Sequence, residues 1–243
     1  MTGMDTATVR RLWHHAAAYL AGTGHQPARV LVLGTALLAL AAVASARIWP
    51  VSRTVVTIAH EGGHALMALL TGRRVDSVRV LRSTAGVTVS EGSPAGLGIV
   101  LTAAAGYPAP PLLGMGAAAL LATGHVAVML ILSLVLLAAL AIAVRNVFGM
   151  LAVIVTAAAI AVVLWRASGL AESAFGYALT WFLLFGGVRP VLELQRTRRR
   201  GRGAATDADQ LARLTGTPGW LWVGLFGAVA LASVAVSVLW LVN

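Results

Sequence analysis

Apolar residues run through this chain in blocks of about twenty, broken by short polar stretches rich in Arg, Gly and Pro. Seven blocks are evident, over about 30–49, 54–72, 95–121, 125–144, 147–165, 173–193 and 218–241. A helix rises about 1.5 Å per residue and a hydrocarbon core is about 30 Å thick, so each block is long enough for a transmembrane helix. After the second block the period changes. Within 73–90, Val78 and Val80, then Val87 and Val89, alternate with polar neighbours around Ser83-Thr84-Ala85-Gly86, a pattern that predicts a β-hairpin. Such a hairpin is either a solvated connection or an edge to which an extended peptide can add through main-chain hydrogen bonds.

The third block contains Gly106, Pro108, Pro110 and Pro111, which predict a broken or kinked helix. A break inside a membrane is tolerated where protein or cavity water satisfies the freed backbone groups, so it either lines a site or simply kinks the chain. Tyr107 reads as a packed aromatic, with a catalytic-site hydroxyl as the alternative. Asn146 stands where the fifth helix begins and reads as its N-cap, with a donor to a reacting group as the alternative. The sixth block closes at Gly186-Gly187-Val188-Arg189-Pro190, with Glu172 and Glu193 as boundary charges. In 195–217, a basic run is followed by TDADQLARL, where Thr206 with Asp209, or Asp207 with Gln210, fits a capping box.

Composition narrows the class. With 59% hydrophobic and 11% charged residues and a mean hydropathy of +0.87, soluble readings fall away and an all-α polytopic membrane protein of about seven transmembrane helices remains. Residues 1–29 form a polar arm in which WHHAAAYL suits a short interfacial helix, and 30–243 form one membrane-embedded unit. Ala44-Ser45-Ala46 resembles a signal-peptidase site, but the long preceding arm and the closely following second span favour a retained anchor. All 18 basic residues are Arg and most flank the spans on one side, so the formal charge of +10 reads as topogenic, with the N-terminus cytoplasmic and no nucleic-acid partner. The run from Arg196 to Arg202 suits anionic lipid at the bilayer surface. Absence of Cys excludes thiolate metal sites and leaves His and carboxylates as ligands.

The second block carries His60, Glu61 and His64 as H-E-x-x-H, and about 0.002 such matches are expected by chance from this content of His and Glu. Residues four apart share a helix face, so both imidazoles can reach one ion, and the carboxylate beside them can take a proton from metal-bound water. Ionisable groups in a span cost about 2.5–3.5 kcal/mol each, which favours a functional role over polar packing. Gly62 and Gly63 admit either a close backbone near the metal or tight helix packing. A hydrolytic zinc wants a third protein ligand, and Asp207, Asp209, Asp76, Glu172, Glu193 and His125 all remain open.

HEGGHALMALLTGRRV, AAGYPAP, VRNVFG and TDADQLARLTGTP together resemble the site-2 protease family of intramembrane zinc metalloproteases, in its compact bacterial branch, over about 54–222. The resemblance implies Zn²⁺ on His60, His64 and a distant aspartate, carried over by position as Asp207, and Glu61 as the base that activates water. It also implies cleavage of transmembrane segments of other proteins in a bacterial cell membrane. The chain lacks the N-x-x-P-x-x-x-L-D-G element of better-known members, which keeps Asp209 as an alternative and leaves an Asn-type oxyanion donor unassigned. Two other classes compete: a non-proteolytic metal-binding sensor, scaffold or transport component, and a metal-dependent hydrolase of a lipid-like substrate.

Overall fold

The computed structural model describes residues 27–81, 86–167, 169–199 and 206–242. The polar arm with WHHAAAYL, the Ser83–Ala85 turn and residues 200–205 of the basic run lie outside them. Nine helices and one two-stranded antiparallel sheet occur among the described residues. In chain order they are α1 (Arg29–Ala44), α2 (Trp49–Leu70), β1 (Arg74–Val80), β2 (Gly86–Glu91), α3 (Leu97–Ala104), α4 (Ala109–Ala122), α5 (Val126–Ala143), α6 (Val147–Arg166), α7 (Gly169–Arg199), α8 (Asp207–Thr215) and α9 (Gly219–Val242).

Four helices, α5, α6, α7 and α9, are each long and apolar enough to cross a bilayer. The pairs α1 with α2 and α3 with α4, bent by 104° and 71°, bring the total to six when each counts as one span. The count of seven expected from the apolar blocks treats α1 and α2 as separate crossings. The bend between them is built on Ser45, whose Oγ accepts from the backbone N–H of Arg47 and Ile48 at 3.2 Å each. Outward faces are apolar, as lipid contact requires, with Leu37, Leu132, Val155 and Leu231 all exposed.

Helix α7 is the central post, with α1, α4 and α9 packed against it. It does not close at Pro190 as the sequence pattern predicts but continues to Arg199. Pro190 removes one backbone donor, a loss that packed neighbours absorb. Gly186 and Gly187 let Val56 and Pro111 approach closely just before it, and the Arg189–Glu193 pair spans it one turn apart. Glu193 is therefore no ordinary boundary charge. It accepts from Trp49 Nε1 at 3.0 Å and lies 3.5 Å from the Arg53 guanidinium, tying α7 to α2. Glu172, also read as a boundary charge, is buried.

The hairpin forms where the alternation places it, with Val78 opposite Thr88 and Val80 opposite Gly86, and a register shift between Val75 and Ser77. Val78 and Val80 are fully buried, whereas Val87 and Val89 are exposed. The sheet rests on α2, and β1 has a second neighbour: Val78 bridges Val144 and its carbonyl accepts from the Arg145 N–H at 2.9 Å. Asn146 does not cap α6 with its side chain. Its Oδ1 accepts from the Val80 N–H at 3.1 Å and its Nδ2 donates to the Val80 carbonyl at 2.7 Å, so the amide acts as one more rung of the sheet. Gly149 faces this amide at close range. Replacing Asn146 with Leu strands both buried Val80 groups. It should lower stability by about 1–3 kcal/mol, read as an earlier unfolding transition of the detergent-solubilised protein.

Candidate metal centre

Helix α2 starts with Pro50 at its first turn and carries His60 and His64 on one face. The two Nε2 atoms are 3.1 Å apart, and Asp207 Oδ2 lies 3.2 Å from that of His60 and 3.3 Å from that of His64. Among the described residues, these form the one group of three metal-ligating side chains. His64 is buried, and the side chains of His60 and Asp207 are partly exposed.

The break in the third apolar block shapes the site. Helix α3 ends at Ala104 and α4 starts at Ala109, because Pro108 has no N–H to continue the ladder. Near the end of α3, the Thr102 carbonyl accepts from His64 Nδ1 at 2.7 Å. A carbonyl can only accept, so Nδ1 holds the proton and the Nε2 lone pair faces His60 and Asp207. Tyr107 packs edge-on against His60 at 4.8 Å and stacks on Phe226 at 5.1 Å, the packing role expected for it. Gly63 explains the approach of the break to α2, since a Cβ there would lie 2.8 Å from the Ala105 carbonyl oxygen. Gly62 meets nothing closer than Leu140 at 3.8 Å.

Asp207 arrives on α8, a short amphipathic helix. Ala208 and Leu211 are fully buried against Val191, Leu194 and Phe226, and Gly216 ends the helix in the left-handed region at φ 69°. The capping box is that of Thr206 and Asp209: the Asp209 N–H donates to Thr206 Oγ1 at 3.3 Å, and Asp209 Oδ2 accepts from the Thr206 N–H at 3.2 Å. Asp209 also pairs with Arg198 at the end of α7. The two carboxylates thus divide their work: Asp209 docks the helix, while Asp207, in its first turn, faces the imidazoles. Burial raises the Asp207 carboxyl, whereas imidazoles that carry a second proton beside it outweigh that and hold the group well below the usual carboxylate range. Burial also acts upward on Asp209, and the Thr206 hydrogen bonds with the Arg198 charge hold it below that range.

The remaining sequence candidates lie elsewhere. Asp76 is exposed at the register shift of β1, His125 accompanies Thr123 before α5, and Glu193 is engaged by Trp49, Arg53 and Arg189. Glu61 is turned toward the hairpin and buried; its Oε2 accepts from Thr88 Oγ1 at 2.5 Å. Sequence reasoning missed Thr102 and Thr88, and placed Gly106 at the helix break and Gly86 at the turn without their contacts to the site. The inward phase of the β2 alternation, 86, 88 and 90, carries a signal for two of them, whereas a backbone carbonyl such as that of Thr102 carries none.

The donor set fits a tetrahedral divalent ion. Bonds of about 2.0 Å imply ligand-to-ligand edges of about 3.3 Å, which the three observed separations approach. Asp207 Oδ2 is buried and makes no hydrogen bond, so a lone pair is left for a cation. Gly106 faces the same point: a Cβ there would come within 2.6 Å of His60 Nε2 and closer still to His64 Nε2. The glycine keeps open the space on which the ligands converge.

A family model described as Peptidase M50B-like matches residues 33–237. No curated protein and no solved structure matches.

Two outcomes follow for the purified protein. Gly106→Val fills the convergence point and should reduce bound zinc, measured by elemental analysis, at least tenfold while the helical signal in circular dichroism is kept. Leu211→Asp undocks α8 and should weaken zinc retention under chelator competition, because only the two imidazoles of α2 remain in place.

Proposed function

The chain belongs to the Peptidase M50B-like family, that of the site-2 proteases, which are intramembrane metallopeptidases, and we propose that it is a zinc metalloendopeptidase cleaving transmembrane segments of other proteins. The observation that carries this reading is the convergence of His60, His64 and Asp207 from two separate helices next to a buried glutamate. Its proposed setting is a bacterial cell membrane with the N-terminus cytoplasmic; with α1 and α2 as separate crossings, most Arg residues then lie on the cytoplasmic side.

His60, His64 and Asp207 would hold the ion, which supplies a water of lowered pKa and polarisation of the scissile carbonyl. The Thr102 carbonyl keeps the His64 proton on Nδ1, so Nε2 stays available as a ligand. Glu61 takes a proton from water on its carboxylate and returns it to the departing amide nitrogen. Tyr107, stacked on Phe226, packs against His60 on one flank of the centre.

A membrane helix hides its carbonyls in its own hydrogen bonds, so the substrate has to unwind before attack. Among the described residues β2 pairs only with β1, and its other edge is open beside the exposed Val87 and Val89. That edge suits an extended segment, which exchanges lost helical hydrogen bonds for strand hydrogen bonds.

Glu61→Gln should keep zinc and helical content but lower hydrolysis of single-span peptides at least 10³-fold, followed by mass spectrometry of the fragments. A variant that still cleaves would remove Glu61 from the chemistry. Wild type that leaves peptides intact but hydrolyses lipid-like esters would favour the small-amphiphile reading, and zinc binding with neither activity would favour a sensor or scaffold.

A further inference from the structure

We propose that Thr88 is the positioning residue for Glu61, making strand β2 and the proton-accepting carboxylate one mechanical unit. The proposal rests on the reading of Glu61 as the base and deepens it.

Both oxygens of Glu61 face β2. Oε2 accepts from Thr88 Oγ1 at 2.5 Å, a charge-assisted contact, and Thr88 is the one hydrogen-bond donor to this carboxylate among the described residues. Oε1 lies against Gly86, where a Cβ would collide with it and with the rest of the carboxylate. Gly86 and Thr88 face inward on the same phase of the strand, so the alternation of β2 delivers one space and one donor to the same side chain. A glutamate has three rotatable side-chain bonds, and this cradle fixes its carboxylate in an apolar setting where an unpartnered charge is costly.

The cradle is itself anchored. β2 is paired to β1, and β1 is fastened to the turn between α5 and α6 through Val144 and Asn146. Glu61 is thus located by its own helix and, independently, by a strand whose free edge faces outward. A segment adding to that edge is aligned by the strand that aligns the base, and misplacement of reacting groups by about 1 Å costs about 10²-fold in rate. Thr88 therefore governs turnover more than substrate affinity.

The test uses the full chain in detergent, a quenched-fluorescent single-span peptide with a helix-weakened centre, and the variants Thr88→Val and Thr88→Ser. Thr88→Val, nearly the same shape without the donor, should lower kcat about 10- to 100-fold with KM and bound zinc within about twofold of wild type. Thr88→Ser should recover most of the rate, because the hydroxyl returns. A Thr88→Val variant as fast as wild type, or a Thr88→Ser variant as slow as Thr88→Val, overturns the proposal. A second readout is independent of activity: in a double-mutant cycle of Thr88→Val with Glu61→Ala, the shifts in unfolding midpoint should be non-additive, and additive shifts also overturn the proposal. Wild type without peptidase activity would instead sink the proposed function, while the cycle would still report whether Thr88 holds Glu61.

Discussion

A polar group surrounded by hydrocarbon persists only when something nearby satisfies it, and in this molecule that requirement organises everything around α2. A helix carrying two imidazoles and a carboxylate among apolar neighbours leaves several donors and acceptors in need of partners. The broken span between α3 and α4 supplies one: the Thr102 carbonyl near the end of α3 meets the His64 ring. The hairpin supplies another in the Thr88 hydroxyl, and α8 brings a carboxylate to face both rings. The break between α3 and α4, the hairpin and α8 each lie where a polar side chain of α2 needs company. The irregular segments are the other half of the polar groups on α2.

This arrangement also explains the close approaches. Gly63 admits the chain break, Gly106 leaves room at the point where the ligands face one another, and Gly86 leaves room for the Glu61 carboxylate. At each place a methyl group would occupy space already assigned to a backbone, a ligand atom or a reacting group. Gly186 and Gly187 serve ordinary close packing of α7 against Val56 and Pro111.

The apolar blocks gave away most of the helices because lipid-facing length is a local property of the sequence. The hairpin was legible for a similar reason, since valines at alternate positions cannot serve one face of a helix. Span counting was less secure, because a bend such as that between α1 and α2 is built from Ser45 hydrogen bonds and leaves little compositional trace. The end of α7 was misread, as Pro190 looks like a terminator until its packing partners are known. At the centre, the spacing of His60 and His64 exposed their shared face. The choice between Asp207 and Asp209 depends on which of two neighbouring carboxylates the cap and Arg198 consume, a question of side-chain direction. Asn146 shows the same limit: its position marked a helix start, but its partner is a strand 66 residues earlier.

Helix α8 is nine residues long, held by two buried apolar side chains, its cap and one ion pair, and it carries one of the three ligating oxygen and nitrogen groups. On the proposed ligand set, docking of this helix and capture of an ion are thermodynamically linked: whatever free energy seating the helix lends to the ion, the ion returns to the seating. The other two ligands share one rigid helix and feel no such coupling. A change that loosens the Arg198 contact would thus be felt at the centre as a weaker grip on the cation.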